Sequence, residues 1–240
     1  MSCLIEFHNA CKRYGSNTVL EGLNLQIEPK EFIVFIGPSG AGKTTALEMI
    51  NAMIVPDEGY ITVRGEDVAK VDPIALRRSI GYCVQSTSLF PHMTIADNIA
   101  YVPALMGEKK DARRERAQEL LELVGLPVDC NKRYPMQLSG GEAQRVGVAR
   151  ALAADPEIVL MDEPFGATDN ITRGMLQDEL KGIHAKLHKT IVFVTHDLNE
   201  ARKLADRIVL FNDGVAEQTG TFDELTETPA SDFVRTFIRG

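Results

Sequence analysis

Four short stretches of this chain are apolar at nearly every position: EFIVFIG at 31–37, Ile80–Val84, Ile158–Met161 and Ile191–Thr195. A strand with one face in water alternates apolar and polar side chains. These four do not, so each reads as a strand buried on both faces. A fifth run, Ile208–Phe211, leads to Asp213-Gly214, a favoured hairpin turn. The segment holding Leu23, Leu25 and Ile27 does alternate, as a half-exposed strand should. Helical patterns separate the runs. Thr44–Ile54 sets Leu47, Ile50 and Ile54 on one stripe, and Lys109–Val124 turns from charged to Leu-rich before closing at Gly125, a natural C-terminal cap. Ser139–Ala153 opens on Ser139-Gly-Gly-Glu142, which fits a capping box. This alternation predicts an α/β fold with a mostly parallel sheet covered on both faces. From about Ser86 to Ala154 the signals are helical with little strand character, which reads as a helical lobe inserted into the sheet.

The buried runs share a second property. Four of them lead directly into polar, chemically capable residues: Gly37–Thr44, Gln85, Asp162-Glu163 and His196. Open parallel sheets bind ligands at the carboxyl ends of their strands, so four strands are expected to deliver chemistry to one edge. GPSGAGKT, Gly37–Thr44, has the spacing of a phosphate cradle and sits between an expected strand and an expected helix. Glycines let the backbone curl so that its N–H groups face phosphate oxygens, and the helix behind presents its positive end to the same anion. Lys43 is then placed to neutralise β- and γ-phosphate charge, and the Thr44 hydroxyl to ligate Mg²⁺. Taken alone, Asp162 and Glu163 are two acids at a strand exit, common in any α/β protein. Beside the cradle they read as the rest of a metal site, Asp162 holding Mg²⁺ through its water shell and Glu163 polarising the attacking water.

Composition narrows the partners. The net charge of −8 argues against a nucleic-acid backbone as the main partner. Cys3, Cys11, Cys83 and Cys130 are scattered with no C-x-x-C pair and read as reduced thiols. The start, MSCLIEFHNACKRYG, lacks a signal pattern, and the longest apolar runs are about six residues against the roughly twenty needed to span a bilayer. Work at a membrane is therefore expected to go through another subunit. His8, His92, His184 and His188 have no motif around them, and the run KKDARRER, 109–116, reads as a solvated helix face.

LSGGEAQR, 138–145, resembles the signature motif of ATP-binding cassette ATPases and lies between the cradle and Asp162, in that family's order. The resemblance extends from about Tyr14 to Leu210. It implies a P-loop NTPase fold: a mostly parallel sheet core with an antiparallel β subdomain and an inserted helical subdomain. It further implies one cassette domain over 1–240, with 1–85 and 155–217 as the nucleotide-binding core, 86–154 as the signature-bearing helical subdomain and 218–240 as a short helical tail. ATP and Mg²⁺ are the implied cofactors. By resemblance, Tyr14 stacks on adenine, and Gly37, Pro38, Ser39, Gly40, Ala41, Gly42, Lys43, Thr44 and Thr45 hold the phosphates. Thr44, Gln85 and Asp162 serve the metal, while Glu163, His196 and Gln85 act in catalysis. Ser139 and Gly141 close over ATP held by Lys43 of a second cassette, Gly140, Glu142 and Asp169 (the aspartate of the loop after Glu163) are counted with them as nucleotide-binding, and the homodimer is the default pairing. Two departures stand out: Thr168 and Asn170 flank Asp169 where the family often has Leu and Pro, and position 142 is Glu rather than the more usual Gln.

The segments LRRSIGYCVQ, LFPHMTIADNIAYVP, MDEPFGATDNITRGMLQDEL and THDLNEARKLADRI, with the tail SDFVRTF, look most like ATPases of osmoprotectant importers. That implies uptake of a solute such as glycine betaine, carnitine, choline or proline. Transmembrane permease subunits and, indirectly, a solute-binding protein are the implied partners, at the cytoplasmic face of the cell membrane. Some such ATPases carry a C-terminal regulatory pair of domains, for which the chain to Gly240 leaves no room. An amino-acid importer is the nearest rival. Non-transport cassettes insert a long coiled coil or fuse two cassettes, and P-loop small-molecule kinases lack LSGGEAQR.

Overall fold

The computed structural model describes residues 3–84, 88–166 and 170–239. In chain order the elements begin with β1 (Ile5–Tyr14), β2 (Asn17–Ile27), β3 (Phe32–Ile36), α1 (Lys43–Ile50), β4 (Glu58–Val63), β5 (Glu66–Asp67) and α2 (Pro73–Arg78). Next come β6 (Ile80–Cys83), α3 (Ile95–Ile99), α4 (Tyr101–Leu105), α5 (Lys110–Leu123), α6 (Gly140–Leu152), β7 (Ile158–Asp162) and α7 (Asn170–Leu187). The last are β8 (Thr190–Thr195), α8 (Leu198–Leu204), β9 (Arg207–Asn212), β10 (Val215–Gly220), α9 (Phe222–Glu227) and α10 (Asp232–Arg239). The chain divides into two compact units, Met1–Arg77 with Thr190–Gly240, and Arg78–Lys189.

The first unit holds an antiparallel sheet in the order β2-β1-β4-β5. Leu23, Leu25 and Ile27 of β2 are buried, the alternation expected from sequence, and Leu20 is buried as well. β1 pairs with β2 from Ile5↔Ile27 to Tyr14↔Asn17, but its register shifts between Phe7 and Ala10 and twice more, and Asn9 sits at φ 47°. Those bulges scramble the period of two, so β1 does not announce itself in the sequence. Around β3 the strands are parallel: Ile36 lies opposite Thr195 of β8 and Leu210 of β9. Every residue of β3 and β8 is buried, as their uniformly apolar character predicts. Phe35 and Phe211 meet edge to face at 5.3 Å between centroids, and each fully buried Phe of this kind contributes about 1.5–3 kcal/mol. β10 returns antiparallel to β9 through Asp213 (φ 43°) and Gly214 (φ 82°), the pair of positive φ angles that a tight hairpin requires. α1 stops at Ile50, short of the expected Ile54. Ala52 takes φ 54°, and the Asn51 side chain accepts the Met53 N–H at 3.1 Å in place of a further helical turn.

In the second unit β6 and β7 pair in parallel, Cys83 opposite Met161. α6 lies so close to β6 that a Cβ on Gly81 would come within 2.2 Å of the Ala151 carbonyl oxygen. α3, α5 and α6 pack on one another around Ile95, Ile99, Ala117, Leu120, Leu121 and Val146. α5 ends at Gly125 (φ 66°), whose N–H reaches Glu122 O at 3.1 Å while Leu126 N–H reaches Leu121 O at 2.8 Å, a Schellman cap. Among its described residues, 86–154 carries helices, short 3-10 segments and turns but no strand.

Candidate functional site

The cradle follows β3 in the first unit. Gly37 has φ 150°, and a Cβ there would stand 2.2 Å from the Phe211 carbonyl oxygen; at Gly42, φ 93°, it would stand 2.4 Å from Val19 O. Strand β9 on one side and β2 on the other therefore press the loop backbone so closely that only glycine fits. Gly42 is also the N-cap of α1 and supplies no side chain to its first turn. Lys43 is 6% exposed, and its ammonium donates to Gly37 O at 2.8 Å and to Pro38 O at 2.6 Å. A buried cation beside a helix start with no side-chain cap is an arrangement suited to an anion. Thr44 and Ser39 are exposed and Thr45 is half-buried.

His196 joins this group. Because Thr195 ends β8 opposite Ile36, His196 emerges beside the strand end that opens the cradle, and it is exposed there. Its loop is held from beneath: the buried Thr195 hydroxyl donates to Glu200 Oε2 at 2.6 Å and accepts the Asp197 N–H at 3.0 Å. Asp197 then caps α8 by accepting the Asn199 N–H at 2.7 Å. Glu200, 4% exposed, is a positioning residue that sequence reasoning did not single out. Its only signal was an acid three residues after Asp197 at a helix start. Tyr14, at the end of β1, is 53% exposed, with Lys12 Nζ over its ring at 5.5 Å from the centroid.

The carboxylates belong to the second unit. Asp162 is the last residue of β7 and is 8% exposed. Glu163 follows at φ 41°, left-handed backbone that costs a non-glycine residue of order 1–3 kcal/mol. It is half-buried and opens a turn closed by Gly166 N–H to Glu163 O at 3.1 Å and anchored by the buried Phe165. Strain at a strand-end carboxylate is a recurrent mark of working residues. Cys83, one strand over, is chemically quiet: burial, with Asp162 adding to it, pushes its thiol up to about 11 against a smaller opposing pull from Arg150.

Ser139 sits at the N-cap of α6 and forms the expected box. Its Oγ accepts the Glu142 N–H at 3.3 Å, and its own N–H donates to Glu142 Oε2 at 2.8 Å. These Ser139 contacts, backbone first, hold the Glu142 carboxyl below its ordinary value, aided by the charges of Arg133 and Arg145. Ser139 and Gly140 are exposed and Gly141 half-buried. Along α6, Ser139 stands about 18 Å from Ala151, the residue seated on Gly81 of β6, at 1.5 Å per residue. The signature end of the helix thus points away from the end packed on the strands. Gln85, Thr168 and Asp169 lie outside the described residues.

The family model described as ABC transporter matches residues 20–166. The choline transport ATP-binding protein of Bacillus subtilis (strain 168) is 52% identical over 236 residues, which cover 98% of this chain and 62% of that protein. The chain thus spans about three fifths of that relative's length. The glycine betaine uptake system ATP-binding protein of Escherichia coli (strain K12) is 48% identical over 235 residues, 98% of this chain and 76% of that protein. Among solved structures, the ATP-binding cassette MJ0796, dimeric in a post-hydrolysis state with ADP and Pi, superposes with a TM-score of 0.82 at 34% identity, covering 90% of this chain and 98% of that one.

Proposed function

This chain belongs to the ABC transporter family, and from that membership we propose that it is the ATP-hydrolysing subunit of an importer for a small osmoprotectant such as glycine betaine, carnitine, choline or proline. The observation that carries the proposal is the cradle: a buried Lys43 held by the carbonyls of Gly37 and Pro38, in a loop where added Cβ atoms would collide with Phe211 and Val19. Relatives named for choline and glycine betaine transport, matched along 98% of this chain, favour the solute class over amino acids.

In this reading the Gly37–Thr45 backbone and Lys43 bind the triphosphate, and Tyr14 stacks on the base. Mg²⁺, when bound, would supply charge neutralisation at the triphosphate. Thr44, Asp162 and Gln85 are the residues to hold it, a hydroxyl, a carboxylate and an amide oxygen being hard donors suited to that ion. Glu163 accepts a proton from the attacking water, and His196, fixed by Thr195 and Glu200, faces the γ-phosphate. Ser139, Gly140, Gly141 and Glu142 of one copy, with Asp169, close over the nucleotide of another, so the working form is a pair of cassettes. The segment 86–154 serves as the helical subdomain, and residues 86–106 receive the permease. The chain then works at the cytoplasmic face of the membrane through its partners. No described helix is long and apolar enough to cross one.

The test is reconstitution in vesicles with the neighbouring permease and binding protein. ATP-dependent uptake of betaine, choline or carnitine is expected, abolished by Glu163→Gln. Stimulation by amino acids alone would overturn the solute class and leave the ATPase assignment standing.

A further inference from the structure

Arg145 closes the signature motif six residues beyond Ser139, about 9 Å along α6. Its guanidinium reaches two other elements of the second unit. Nη1 donates to the carbonyl of Gly125, in the Schellman cap of α5, at 3.3 Å, and Nη2 pairs with Glu179 Oε1 of α7 at 3.3 Å. A Cβ on Gly125 would stand 3.3 Å from both Arg145 Nη1 and Glu179 Oε1, so the glycine that ends α5 also leaves room for the pair.

Arg145 and Glu179 line a cavity of about 10 Å³, room for one water at most, together with Val148 of α6, Leu176 and Ile183 of α7, and Phe165. Phe165 is the buried anchor of the turn that opens at Glu163. The signature helix, α7 and that turn therefore meet at one joint. Apolar contacts are non-directional, and alone they leave a helix free to roll about its axis. A planar guanidinium held by acceptors on two further elements fixes that roll. Burial raises the Glu179 carboxyl more than the Arg145 charge lowers it, so the pair contributes geometry more than stability.

We propose that Arg145 and Glu179 are positioning residues for the nucleotide site shared between two cassettes: their pair sets the roll of α6, and with it the direction in which Ser139 and Gly141 are presented to a facing copy. This inference rests on the paired mechanism proposed above. Arg145 and Glu179 act through Ser139 and Gly141.

The full chain carrying Glu163→Gln is titrated with Mg-ATP while dimer formation is followed by light scattering. Nucleotide affinity of the monomer is measured separately with a fluorescent ATP analogue, on protein too dilute to pair. Arg145→Glu and Glu179→Arg are each expected to raise the Mg-ATP needed for half-dimerisation about tenfold or more, with monomer affinity held within about twofold, because the cradle lies in the first unit. Combining the two substitutions restores opposite charges and is expected to bring the requirement back to within about threefold of the parent, the non-additivity that marks a direct pair. Arg145→Lys keeps the charge and loses the fork that spans two acceptors, so a severalfold rise is expected from this milder variant. Dimerisation at the parent's Mg-ATP concentration in the reversals or in Arg145→Lys overturns the proposal. So does a combined variant no better than the single ones, or a fall in monomer affinity as large as the fall in dimerisation. A Glu163→Gln parent that itself stays monomeric overturns the pairing and this inference with it, whereas a parent that pairs beside variants that pair equally well removes only the role of Arg145 and Glu179.

Discussion

Lys43 and Glu163 show how single residues are prepared for charge. The Lys43 ammonium is withdrawn from water and rests on two carbonyls of its own loop, so it is oriented before any anion arrives. Removing a charged hydrogen-bonding group of this kind costs about 1.5–3 kcal/mol, roughly ten- to a hundredfold in affinity. Lys43→Ala is therefore expected to weaken ATP binding by that factor, and unchanged affinity by calorimetry would reject the cradle. Glu163 is held at φ 41°, an orientation that the turn to Gly166 and the buried Phe165 enforce. Glu163→Gln keeps the shape and removes the proposed base. Steady-state assays should show kcat lower by about 10²–10⁴, the usual worth of a positioned general base, with ATP affinity retained. A variant turning over at the wild-type rate would remove Glu163 from that role.

At the scale of elements, the signature helix is the clearest case of local sequence deciding local structure. Ser139 and Glu142 satisfy each other's backbone N–H groups without help from elsewhere in the chain, which is why the capping box was readable in the letters S-G-G-E. Ser139→Ala should cost about 1 kcal/mol of stability, read as a lower thermal midpoint. The Glu142 carboxyl lies below its ordinary value in the folded chain. Its contribution is therefore fully present above the unfolded value of 4.5 and is lost as pH falls through the lower folded value. Wild type and Glu142→Gln should differ in stability at neutral pH and converge in acid; a gap that persists below both values would show that the charge is not the stabilising feature. β1 is the opposite case. Its bulges at Phe7–Ala10 and beyond hide a ten-residue strand from any period-two reading, because side chains after each bulge change face.

For the whole molecule, the proposed mechanism turns on pairing. Ser139 lies at the far end of α6 from the end seated on Gly81 of β6, the end that the proposed pairing turns toward a facing copy. Shifting a two-state equilibrium from 1:99 to 99:1 takes about 5.5 kcal/mol of differential binding, a size that charge-assisted contacts to a triphosphate reach. Glu163→Gln at saturating Mg-ATP should run as a dimer in light scattering, and Ser139→Arg should return it to monomer. A chain that stays monomeric with nucleotide and permease both supplied would sink the paired mechanism.

What the sequence determined by itself was whatever depends on a few neighbouring residues. The buried strands follow from uninterrupted apolar runs, the cradle from glycine spacing before Lys43, the α6 cap from Ser139 and Glu142, and the hairpin from Asp213-Gly214. Tertiary structure alone decided the meetings of distant residues. Phe211 and Val19 press on the cradle glycines, Ile36 lies between Thr195 and Leu210, and Glu200 grips Thr195 beneath His196. Periodicity and capping record which face of an element is apolar and where it ends. They do not record which other element, often more than a hundred residues away, packs against that face, because that choice is made by the close packing of the whole core.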